Sequence, residues 1–192
     1  RPLTELLAGA TLSNPVFDRS GVLWVVDAEE GLGLVRPDGT RSNIRVSGLE
    51  PRARVRSATP SRDGTRAALV VQSGPRTSLL LGRIVRSGPG GEISIDEPIR
   101  IESRLTEVVD VGWSGADSVA VLGSIEAGSL EVFDIDLARG SVAALGAPEA
   151  PVSIAAAPGL PMLVGGADGQ VYEFTAGSWR SRVNGTAPAY PN

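Results

Sequence analysis

Apolar residues in this chain come in short blocks, each closed by a turn rich in Gly, Pro, Asp or Ser. VLWVV (22–26), AALVV (67–71), LLLG (79–82) and VAVLG (119–123) are apolar at consecutive positions. A strand formed there buries both of its faces. The segments before them, such as LSNPVFD (12–18) and RVRSATP (54–60), mix polar and apolar positions. Among those after them, VFDID (132–136) alternates, with Phe133 and Ile135 on one face and Asp134 and Asp136 on the other.

This order of segments repeats. Starting at Leu12, Val55, Val108 and Val152, each stretch reads as a mixed strand, a tight turn and a more apolar second strand. The turns are Asp18-Arg19-Ser20-Gly21, Ser61-Arg62-Asp63-Gly64, Ser114-Gly115-Ala116-Asp117 and Pro158-Gly159-Leu160-Pro161. Asp and Ser there bind local backbone, and Gly supplies a positive φ. Third strands follow at 31–36, 78–86, 129–136 and 170–175, and fourth strands at 40–46, 92–96, 141–145 and 178–183. Four strands recurring every ~40–50 residues is the period of a propeller blade.

The pattern therefore predicts an all-β chain, a β-propeller of four consecutive four-stranded antiparallel blades. They span 12–54, 55–107, 108–151 and 152–183, with a tail at 184–192. RPLTELL, within 1–11, reads as the outer strand of a preceding blade, so a larger propeller is expected. Apolar blade faces left open would be covered by the remaining blades or by a second copy of the chain. Small residues at Ala58, Gly112 and Ala155 to Ala157 fit crowded inner strands, and Phe17, Trp24, Trp113 and Trp179 are expected in the core between blades.

Composition narrows the function. With 42% hydrophobic and 21% charged residues, the 192-residue chain has enough apolar material for a core. It contains no Cys, no His and no Lys; all 18 basic residues are Arg. Thiolate nucleophiles, imidazole bases, Schiff bases and Cys- or His-based metal sites are thereby excluded within this stretch. No catalytic, cofactor-binding or metal site is expected. The net charge of −4 is spread evenly, which does not suit nucleic acid.

The acidic pairs carry little chemistry. Asp134 and Asp136 alternate along one strand and read as solvated side chains, whereas Asp110 lies on an inner strand and is a candidate channel-facing residue. Asp18, Gly21 and Trp24 have the spacing of an Asp-box, a structural turn. Arg52, Arg54 and Arg56 alternate along an extended segment and form the candidate partner-binding row, since three guanidiniums side by side grip carboxylates in bidentate fashion.

The run PVFDRSGVLWVVD, followed by SRDGTRAALVV, LLLGRIVR, VVDVGWSGADSVAVL and AAAPGLPMLVGGADGQVY with the ending PAYPN, resembles the LpqB family of actinobacterial lipoproteins. The resemblance extends over essentially the whole chain, and a lysine-free composition suits a GC-rich genome. It implies a longer protein on the extracytoplasmic face of the cell membrane, held by an N-terminal lipid anchor and carrying a GerMN domain before the propeller. Neither the anchor cysteine nor the GerMN region is in this sequence. It further implies association with the MtrAB two-component system, the partner being the extracellular domain of its sensor histidine kinase. The expected role is a non-catalytic protein-binding platform. The alternative is a ligand-sensing propeller that binds a small cell-envelope molecule.

Overall fold

The computed structural model describes residues 12–27, 29, 31–88, 91–102, 104–125 and 128–190. The strand expected within 1–11 lies outside the described residues. All regular structure among them is β, and no helix long and apolar enough to cross a membrane is present. The chain divides into two compact units, one built mainly from Arg1–Pro75 and Leu80–Ile101, the other from Arg76–Leu79 and Glu102–Pro191.

The first unit holds β1 (Leu12–Phe17), β2 (Leu23–Asp27), β3 (Gly31–Val35) and β4 (Arg41–Asn43), paired in that order as an antiparallel sheet. A second sheet comprises β5 (Arg45–Val46), β6 (Arg54–Pro60), β7 (Arg66–Ser73), β8 (Arg76–Arg86) and β9 (Ile93–Arg100), in the order β5-β9-β8-β7-β6. The segment 40–46 is thus not one strand, as the sequence pattern predicted. It ends on β4 and resumes as β5, which pairs in parallel with β9 through Arg45 opposite Ser94 and Val46 opposite Ile95. The reason is Ile44, between the two. Its N–H donates to the Leu32 carbonyl while its side chain drops into the core between the sheets.

That core is formed by Trp24, Val26, Leu32 and Leu34 from one sheet and Ala58, Leu69, Val71, Ile84 and Ile95 from the other. Leu23, Val25 and Val35 are buried on the opposite face of the first sheet, so β2 is covered on both sides as its sequence requires. Trp24 is completely buried. Phe17 departs from expectation: it ends β1, an edge strand, and is 50% exposed.

In the second unit, β10 (Leu105–Trp113), β11 (Ser118–Ile125), β12 (Glu131–Asp136) and β13 (Ser141–Ala144) form one antiparallel sheet. A second consists of β14 (Pro151–Ala155), β15 (Leu163–Gly166), β16 (Gln170–Thr175) and β17 (Ser178–Asn184). Ala120, Leu122 and Val132 meet Ile154 and Val164 between them. The inner strands approach closely where Gly112 faces Ala156: a Cβ there would stand 3.0 Å from the Ala156 nitrogen. Trp113 is buried. Trp179 reaches inward from the outermost strand, with its ring on Phe174 and its Nε1–H donating to the Leu145 carbonyl at 3.1 Å.

The turns between first and second strands form as their chemistry predicts. Gly21 N donates to the Asp18 carbonyl, and Gly64 N to that of Ser61. In the first of them, buried Asp18 is the organiser. Its Oδ1 accepts from the Ser20 and Val22 amides and the Ser20 hydroxyl, and its Oδ2 accepts from Trp24 Nε1 at 3.2 Å. Each inner strand, β1, β6, β10 and β14, also carries a register shift against its partner, at Ser13/Val16, Val55/Ser57, Val108/Asp110 and Pro151/Ser153 among others.

After β17 the chain turns back over the face of its own sheet that points away from β11. Gly185 N donates to the Gly169 carbonyl, the Ser153 hydroxyl donates to the Thr186 carbonyl at 2.7 Å, and the Tyr190 hydroxyl donates to the Pro161 carbonyl at 2.8 Å. The Thr186 carbonyl rests where a Cβ of residue 165 would be, which explains the glycine there.

Two substitutions test these features. Asp18→Ala orphans the Trp24 N–H and the amides of the turn, and thermal or denaturant unfolding should show a loss of about 2–4 kcal/mol. Gly165→Val should displace the strap from its sheet, costing about 1–3 kcal/mol and making the chain beyond Asn184 the first target in limited proteolysis.

Candidate binding surfaces

Arg52 lies in the turn that leads into β6, and Arg54 and Arg56 are on that strand; all three are exposed while Val55 and Ser57 between and beyond them are buried. The alternation read from the sequence is therefore real, but the register shift at Val55/Ser57 falls on Arg56 and re-aims it relative to an ideal pleat. β6 is an edge strand of its sheet, so the row stands on the rim of a rigid element.

Asp110 is half-buried on β10. Its Oδ2 accepts from the Ile154 amide at 3.0 Å and its Oδ1 from the Val111 amide at 2.9 Å, so the carboxylate clasps β14 to β10. Desolvation holds its pKa above the ordinary carboxylate value, and the two amides pull in the opposite direction.

The other carboxylates are likewise engaged with their own surroundings. Asp134 accepts from the Ser114 hydroxyl at 2.7 Å, and Asp136 accepts from the Ala138 and Arg139 amides, so the two do not converge on a common site. Asp168 takes the Gln170 amide and the Tyr172 hydroxyl, which lower its pKa. Glu173 is held by a two-pronged contact from Arg182 at 2.8 and 2.9 Å. Among the described residues no group of three acidic side chains is placed to hold a metal ion.

Among the described residues, clefts open on the first unit at two places. The larger, about 720 Å³, lies where β4 gives way to β5 and is lined by polar groups of mixed sign, among them Arg45, Glu92, Asp96 and Glu97. The smaller, about 280 Å³, lies between the turns Asp18–Gly21 and Ser61–Gly64, with Arg86 from the end of β8 set between them. The Arg86 Nη2 stands 3.5 Å from Asp18 Oδ2, and its Nη1 donates to the Gly64 carbonyl. Reading the sequence flagged both turns but not this cleft, because no local pattern links Arg86 to Asp18 or Gly64.

The chain matches the model of the Lipoprotein LpqB beta-propeller domain over residues 1–191. It belongs to that family. Lipoprotein LpqB of Streptomyces coelicolor is 31% identical over 94% of this chain and 31% of its own length. Lipoprotein LpqB of Thermobifida fusca is 33% identical over 68% of the chain and 21% of its own length. The chain thus spans about a third or less of these relatives, which are named as lipoproteins.

Solved structures agree on the propeller fold. A Mycobacterium tuberculosis puromycin-hydrolyzing peptidase superposes with a TM-score of 0.69 at 16% identity, over 96% of this chain and 32% of that one. The beta-propeller domain of Cps50 (Swd1) from Myceliophteria thermophila gives 0.52 at 14%, over 86% and 54%. At such identities the likeness concerns the fold alone.

The Asp110 clasp has a pH signature. A carboxyl whose folded pKa is raised stabilises the fold fully below its unfolded value, near 3.8, and loses that contribution as pH rises through the folded value. Asp110→Asn removes the titration. The difference in Tm between wild type and variant should therefore shift against the wild type as pH is taken from about 3.5 to 7. A pH-independent difference would contradict the assignment.

Proposed function

We propose that the chain is a non-catalytic protein-binding platform of an extracytoplasmic lipoprotein. The full-length protein is held at the cell membrane by its lipid anchor, and its partner is the extracellular domain of a sensor histidine kinase such as that of the MtrAB two-component system. Arg52, Arg54 and Arg56 form the docking row. The observation that supports this best is their common exposure on the edge of a packed sheet, next to buried positions that fix their spacing.

Charge distribution supports the same reading. Although acids outnumber bases, Asp18, Asp63, Asp110, Asp136 and Asp168 are spent on backbone amides of their own turns and strands. Arg52, Arg54 and Arg56 are exposed, and an acidic surface is the complement such a row fits. The non-catalytic reading rests on a chain without His, Cys or Lys whose carboxylates serve as structural acceptors. The kinase as partner and the membrane location rest on the LpqB relationship.

A binding titration between this chain and the sensor's extracellular domain tests the proposal. Changing Arg52, Arg54 and Arg56 together to Ser should weaken the complex about tenfold or more and flatten its salt dependence. The Tm should move by no more than about 4 °C, as expected for surface substitutions. Unaltered affinity in a well-folded triple variant removes this row as the docking site.

A further inference from the structure

The small cleft of the first unit brings three guanidiniums, Arg19, Arg62 and Arg86, together with two carboxylates. Asp18 is turned inward, whereas Asp63 is exposed but tied to its own turn. Asp18 is buried and shared among Ser20, Val22 and the Trp24 indole. Asp63 accepts from the Ser61 hydroxyl and the Thr65 amide, and these contacts lower its pKa. Both negative charges are therefore committed to the two turns that carry them.

Two of the three arginines, Arg19 and Arg62, are not so committed. Arg86 is fixed in the middle, its guanidinium lying over Gly64 and held by the Gly64 carbonyl and Asp18. Arg19 and Arg62 are exposed and have no hydrogen bond or ion pair among the described residues. Nor do the turns themselves need them. The corresponding turns of the second unit, Ser114-Gly115-Ala116-Asp117 and Pro158-Gly159-Leu160-Pro161, have glycine at the same second position. In a chain of net charge −4, the cleft sets three guanidiniums against two carboxylates, and only Arg86 has a duty in holding the two turns.

We propose that this cleft binds an oxyanion, a phosphate or carboxylate group carried by a small ligand. A pre-positioned guanidinium at the centre with two more at the rim suits bidentate capture of such a group. The volume of about 280 Å³ sits at the lower end of small-molecule sites, so the body attached to the anion is small. Because Asp18 and Gly64 already hold Arg86, little ordering is required of the central donor when the anion arrives. The site is separate from the docking row. Arg54 begins β6 and Pro60, next to the Ser61 turn, ends it, ~20 Å away along the strand, and the two sites stand or fall independently.

Inorganic phosphate and malonate, each titrated separately into the chain against sodium chloride of matched ionic strength, test the proposal by calorimetry and thermal unfolding. One or both should bind saturably and raise the Tm. The probe that binds identifies the group as phosphate or carboxylate. The Arg19→Ser/Arg62→Ser variant, whose replaced side chains are exposed, should keep the unliganded Tm and lose about tenfold or more in affinity. A response no greater than that to chloride, or one unchanged in the double variant, overturns the inference.

Discussion

A strand that is apolar on both faces has to be covered on both, and β2, β7 and β11 are such strands. Each is buried along nearly its whole length. A single sheet cannot meet that demand, so each unit stacks one sheet against another. At ~25 cal/mol per Å² of apolar surface removed from water, these middle strands supply much of the driving force. The edges are then free to vary. First strands carry register shifts and turns, and outer strands carry charge, without endangering the fold.

Carboxylates do the fastening that disulfides or metals do elsewhere. Asp18 ties a turn to the buried indole of Trp24, Asp110 ties two inner strands, and Asp168 closes the turn before β16. Each accepts from backbone amides, in turns for Asp18 and Asp168 and within two neighbouring strands for Asp110. Six of the chain's 18 arginines stand at two outer places on the first unit, the rim of β6 and the cleft beside the Asp18 turn.

The fold was largely legible because its signals are local. Two-sided apolar runs, Asp-Gly and Ser-Gly turns and the regular return of both pointed to stacked four-stranded sheets. What escaped was set by contacts distant in sequence. Nothing in TRSNIRV says that Ile44 will leave the strand for the core and send Arg45 and Val46 to β9. Phe17 looked like core by type, but position at a strand end decided its exposure. At the candidate sites, the alternation of Arg52, Arg54 and Arg56 was visible as period two. The use of both Asp110 oxygens on β10 and β14, and the meeting of Arg86 with two turns from other strands, depend on packing that no spacing rule encodes.

The passage of the chain from β4 to β5 has a bearing on how the first unit comes apart. Two residues of parallel pairing on β9, with Ile44 wedged behind them, stitch the rim of one sheet to the rim of the next. Peeling either sheet away strips an edge partner from the other and empties part of their common interior. Adjacent modules linked in this manner lose their independence, and the pair is disposed to melt as a single cooperative block rather than blade by blade.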